Sequence, residues 1–146
     1  MIARKEYMDR LIGYRDKQVI KIITGIRRCG KSTLLALFQH YLVEDGVAPE
    51  NIITVNFEDY DNRSLCDPGA LHDYVKAHMA AKGKTYVFLD EIQNVPEFQR
   101  VVDSLYLRKK LDLYLAGSNA WLLSGDLATL LSGRYVEIEM LPLSFR

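Results

Sequence analysis

The stretch Gly25-Ile26-Arg27-Arg28-Cys29-Gly30-Lys31-Ser32 decides how this chain is read. It matches Gly-x-x-x-x-Gly-Lys-Ser/Thr (Walker A) in full, and each fixed position has a physical task. Gly25 and Gly30 give the backbone conformations closed to residues with a Cβ. The loop can then wrap a phosphate with its N–H groups turned inward. Ile26, Arg27, Arg28, Cys29 and Thr33 belong to the same phosphate-binding set. Lys31 reaches the β and γ phosphates as a compact cation, and the Ser32 hydroxyl can ligate Mg²⁺. A helix starting here adds the positive end of its dipole. Arg27 and Arg28 keep two readings: added positive charge near the phosphates, or side chains facing solvent.

The flanks supply the context that separates this motif from a chance match in a glycine-containing turn. Before it, 19–24 is a β-branched run (VIKIIT) that reads as a strand. After it, 31–43 carries Leu34, Leu35, Phe38 and Leu42 at helical spacing. A strand, a glycine loop and an apolar helix are what phosphate binding requires.

Further out, the apolar run 85–89 ends in Asp90-Glu91. A parallel sheet presents its ligand groups at the carboxyl ends of strands. On their own the two carboxylates would be solvated residues at a strand exit. Downstream of a phosphate loop they become a Walker B pair: Asp90 for Mg²⁺, opposite Ser32, and Glu91 to polarise the attacking water. The run 111–116 ends in Gly117-Ser118-Asn119, where a polar side chain can contact the γ phosphate or the water. The competing reading is a turn that caps the next helix, and Ser118 and Asn119 are not separated. Arg134 precedes a fifth strand, 135–140. It reads either as a transition-state arginine, acting in cis or from a neighbouring subunit, or as a surface residue.

The remaining segments complete the alternation. Helices are expected over 4–16, 71–81 and 98–109, with short ones over 120–123 and 127–131. A strand is expected over 51–57, followed by a polar loop at 58–68. Strands alternating with helices predict an α/β fold of the P-loop NTPase type: one domain, 1–146, with a mostly parallel five-stranded sheet and helices on both faces.

Composition excludes several classes. Lys plus Arg and Asp plus Glu both number 19, so bulk charge gives no support to nucleic-acid binding. Two cysteines, Cys29 and Cys66, make neither a disulfide framework nor a metal set. No apolar run is long enough for a membrane span, and the charged N-terminus is unlike a signal peptide. A cytoplasmic protein with reduced thiols is expected. The sequence stops at Pro142-Leu143-Ser144-Phe145-Arg146 directly after a strand, which reads as a cut within a longer protein. His40, His72 and His78 form no ligand cluster and read as surface or boundary residues. Trp121 reads as core. The acidic loop matches no calcium loop, although Glu58 and Asp59 follow a strand and edge the site.

The order Gly-Ile-Arg-Arg-Cys-Gly-Lys-Ser-Thr, Val-Phe-Leu-Asp-Glu-Ile-Gln, Leu-Ala-Gly-Ser-Asn and Leu-Ser-Gly-Arg-Tyr-Val-Glu-Ile-Glu-Met-Leu-Pro-Leu-Ser-Phe resembles the prokaryotic AAA-type ATPases (AAA+ superfamily) related to archaeal ATPases. The specific parts are the doubled arginine, Gln93 and the Gly-Arg…Leu-Pro-Leu-Ser-Phe ending. The resemblance covers about residues 18–146. It implies an AAA+ core of the additional-strand class, ATP and Mg²⁺ as ligands, and nucleotide-site roles for Lys31, Ser32, Asp90, Glu91 and Ser118 or Asn119. It also suggests Arg134 as a sensor or finger arginine. The absence of an Asn-Lys-x-Asp guanine-reading motif agrees with ATP over GTP. The resemblance implies a further C-terminal region, and it leaves self-association and, for the full-length protein, DNA as candidate partners. The expected function is Mg²⁺-dependent ATP hydrolysis. The alternatives are a nucleotide-operated binding module and, more weakly, a small-molecule kinase.

Overall fold

Three stretches are buried along their whole length: β1 (Ile20–Thr24), β3 (Thr85–Asp90) and β4 (Leu111–Gly117). Near-continuous apolar runs belong to strands covered on both faces. In the computed structural model, which describes residues 2–25, 30–118 and 133–141, these three form the middle of one sheet. The order is β2-β3-β4-β1-β5, with β2 (Ile52–Asn56) and β5 (Tyr135–Glu139) at the edges. All four pairings are parallel. The edge strands show it in their burial: β2 alternates between buried and exposed after Ile52, and in β5 only Ile138 is buried.

Helices cover both faces, as the alternation requires. Leu11 of α1 (Ile2–Tyr14) and Leu34, Leu35, Phe38 and Leu42 of α2 (Lys31–Glu44) close one side, over Phe88 and Tyr114. Phe38 packs 5.1 Å from the Tyr114 ring and 6.1 Å from Phe88. Leu71 and Val75 of α3 (Pro68–Ala77) close the other side with Val101, Val102 and Leu105 of α4 (Phe98–Tyr106).

Several boundaries differ from the sequence reading. The segment expected as a polar loop at 58–68 contains a 3₁₀ helix, Tyr60–Cys66, whose N-cap Asp59 accepts from the Asp61 N–H. Asp67 then caps α3 through the Ala70 N–H at 2.9 Å, with Pro68 in the first turn, so α3 starts three residues before the expected 71. The α1 helix stops at Tyr14, and Asp16 turns left-handed at φ 66°. His40 and His78 are exposed, and half-buried His72 meets Ser104 Oγ at 2.9 Å through Nε2. The short helices expected over 120–123 and 127–131, and Trp121, lie outside the described residues.

One feature of the core was missed. Lys21 on β1 and Asp112 on β4 form a buried ion pair at the amino-terminal end of the sheet. Asp112 also accepts from the Tyr114 hydroxyl at 2.7 Å and the Asp16 N–H at 2.9 Å, while Lys21 Nζ donates to Lys17 O at 2.9 Å. Each charge interrupts an otherwise apolar strand, and their opposite signs were the available signal that β1 and β4 are neighbours.

Candidate functional site

Parallel strands send their carboxyl ends to one edge of the sheet, and three chain segments leave the middle of it side by side. Thr24 lies opposite Gly117 across β1 and β4, and Asp90 lies opposite Ala116 across β3 and β4. Gly25, Ser118 and Glu91 therefore exit at one edge, on adjacent strands, which is where an open α/β sheet takes a ligand.

Gly30 is the N-cap of α2 at φ 98°, ψ 15°, a left-handed conformation that costs glycine nothing and any other residue strain. Among the described residues no side chain caps the helix there, and the N–H groups of a helix's first turn are of the kind that can bind an anion. Lys31 is 4% exposed, and its Nζ donates to Gly25 O at 2.8 Å. That contact holds the Lys31 ammonium against the residue that follows β1. Ser32 Oγ donates to Asp90 Oδ2 at 2.5 Å, joining the start of α2 to the end of β3. Thr33 is exposed on the first turn of α2.

Asp90 is buried, and burial pushes its carboxyl above the usual carboxylate range, further raised by the charge of Glu91 and opposed by the Ser32 hydrogen bond. Its second oxygen, Oδ1, is buried with no hydrogen-bond partner among the described residues. A hard oxygen donor of this kind, beside a serine hydroxyl, fits Mg²⁺, which takes few protein ligands and completes its shell with phosphate oxygens and water. Accordingly no group of three or more His, Cys, Asp or Glu is arranged for a metal among the described residues. Glu91 is 8% exposed and left-handed at φ 57°, ψ 47°. A non-glycine residue held there is strain of the sort that collects at functional sites.

Lys31, Ser32, Asp90, Glu91, Gly25, Gly30 and Ser118 are thus brought to one edge. Arg134 is not. It precedes β5, its carbonyl accepts from the Ile20 N–H at 2.8 Å, and its guanidinium pairs with Asp103 of α4 and lies over the Tyr106 ring at 5.5 Å. Thr24 pairs with Glu139 and Ile20 with Tyr135, so Arg134 sits at the opposite end of the sheet, about 16 Å from the phosphate-loop edge along the strand. Action of Arg134 on this chain's own site is corrected accordingly. Ile26, Arg27, Arg28, Cys29 and Asn119 lie outside the described residues. The residue that went without a role in the sequence reading is Gln93: its Nε2 donates to Glu91 Oε1 at 2.6 Å. Its position two after the glutamate was the available signal.

The profile of the family described as AAA domain matches residues 17–146. The chain belongs to the AAA domain family. This AAA domain is therefore of the ATPase type, and its all-parallel sheet with β1 inserted between β4 and β5 is the five-stranded P-loop architecture expected. An uncharacterized protein of Haemophilus influenzae is 44% identical over the whole chain, which covers 37% of that protein's length. The chain spans between 27% and 37% of the curated relatives it matches. Among solved structures, Drosophila ORC bound to DNA superposes with a TM-score of 0.64 at 12% identity, over 98% of this chain and 93% of that one. AMPPCP-bound DnaA from Aquifex aeolicus superposes with a TM-score of 0.58 at 18% identity, over 92% of this chain and 44% of that one. At such identities the likeness is one of fold. No helix among the described residues is long and apolar enough to cross a membrane.

Proposed function

We propose that this AAA domain binds ATP with Mg²⁺ and hydrolyses its β–γ bond. One observation carries the reading: the hydrogen bond from Ser32 to Asp90, which unites the phosphate loop and the acidic strand end beside buried Lys31 and Glu91. In this reading the N–H groups of the loop 25–33 cradle the phosphates. Lys31 leaves Gly25 O for the β and γ oxygens. Ser32 and Asp90 hold Mg²⁺, which when bound neutralises charge on those oxygens. Glu91 orients the water and accepts its proton, and Ser118 or Asn119 contacts the γ phosphate. Phosphoryl transfer asks for little covalent chemistry, so positioning and electrostatics carry the rate. Arg134 remains for a neighbouring subunit's site in a self-associated form, once released from Asp103.

The domain's net charge of zero gives no support to nucleic-acid binding. The second reading is a switch that binds ATP and turns over only with a partner.

Titration calorimetry with ATP and GTP in Mg²⁺ tests the proposal. ATP should bind, and Lys31→Ala should abolish binding. Glu91→Gln should keep binding and lower steady-state hydrolysis by about 10²–10⁴-fold. Tight binding with negligible wild-type turnover would favour the switch, and phosphate arriving on an added acceptor would favour the kinase. No ATP binding would sink all three.

A further inference from the structure

Glu91 and Gln93 are two residues apart, a spacing at which helical side chains diverge. They meet because Glu91 is left-handed, which turns its side chain back onto the single 3₁₀ turn Ile92–Asn94 that it caps. That turn is fixed from below. Ile92 is 0% exposed and Val95 1%, both within the core against α3 and α4. Asn94 N–H donates to Glu91 O at 3.1 Å, and Asn94 Nδ2 donates to Phe57 O at 3.3 Å, tying the turn to the end of β2. Gln93 is therefore a hydrogen-bond donor mounted on a rigid base, aimed at one oxygen of a buried carboxylate.

The chemistry of the contact fixes its direction. A carboxylate only accepts, so the carboxamide must present its N–H to Glu91. Its Oε1 then faces away, and this atom is buried with no partner among the described residues. The carboxylate keeps Oε2 for the attacking water. A carboxylate that also neighbours the charge of Asp90 has every electrostatic reason to rotate away, and the Gln93 N–H opposes that rotation.

We propose that Gln93 is a positioning residue for Glu91: its carboxamide holds the Glu91 carboxylate in the orientation that hydrolysis needs. The proposal rests on the ATPase reading above and adds a residue to it. Gln93→Met keeps the length and removes the donor. Gln93→Glu keeps the shape, offers only acceptors and adds a like charge. Steady-state hydrolysis by the purified protein should show kcat about tenfold to a hundredfold lower for Gln93→Met, and lower still for Gln93→Glu. KM and the calorimetric affinity for Mg²⁺-ATP should stay within about twofold of wild type, since ground-state binding is untouched. In a Glu91→Ala background, Gln93→Met should change nothing further, because the residue acts through Glu91.

Wild-type turnover with an unchanged or raised kcat in Gln93→Met overturns this proposal and leaves the ATPase reading standing. So does a loss of affinity that matches the loss of rate, or a Gln93→Met effect that persists without Glu91. Absence of wild-type turnover overturns the ATPase reading, and the role of Gln93 with it.

Discussion

Asp90 shows how a single buried carboxyl links stability to ligand binding. Its folded pKa is raised by burial and by Glu91, so in the window between the ordinary carboxylate value and the raised one the folded state holds the proton that the unfolded state has lost. Stability then falls as pH rises through that window. Asp90→Asn removes the penalty. The nucleotide-free variant should melt higher than wild type at neutral pH, and the difference should shrink as pH falls toward the ordinary carboxylate range, as read by scanning calorimetry. The same substitution should lose Mg²⁺-dependent ATP binding. At this scale Lys31, Ser32, Asp90 and Glu91 were legible as a candidate set because their types and spacings are local and chemically constrained. Gln93 was visible as a residue without a role, since no propensity announces that Glu91 is left-handed.

Among the elements, the start of α2 is the most exacting. At φ 98°, Gly30 admits a Cβ only with strain of about 1–2 kcal/mol. Gly30→Ala should therefore weaken ATP binding more than it lowers stability, measured by calorimetry and urea unfolding on one preparation. Asp67 offers the contrasting case, a structural cap remote in role from the nucleotide. Asp67→Ala removes the hydrogen bond to the Ala70 N–H and should cost about 1 kcal/mol in urea unfolding, with ATP affinity unchanged. The Asp67-Pro68 pair was a readable start signal for α3, overlooked because apolar periodicity begins only at Leu71. The 3₁₀ helix Tyr60–Cys66 carries no such period, and its polar residues read as loop.

The whole molecule is held by contacts between distant segments, and the Lys21–Asp112 pair tests that directly. The pair is buried at the end of the sheet away from the site, and Asp112 also anchors Asp16 and Tyr114. Lys21→Met would strand the Asp112 charge and should lower unfolding free energy by about 3–5 kcal/mol, with ATP affinity spared in the fraction that stays folded. The Gly-x-x-x-x-Gly-Lys-Ser motif, the acidic strand end and the alternation of strands with helices were determined by sequence alone, because each is set by neighbours along the chain: backbone freedom at glycine, periodicity of apolar side chains, a carboxylate at a strand end. The insertion of β1 between β4 and β5, the pairing of Lys21 with Asp112, the removal of Arg134 to the far end of the sheet and the return of Glu91 onto Gln93 were decided only in three dimensions. In the first three, partners lie tens of residues apart, and packing of two helix layers on one twisted sheet chooses among pairings that local propensity leaves equal. In the last, the partners are near, but a left-handed turn held by the core beneath it directs the side chain.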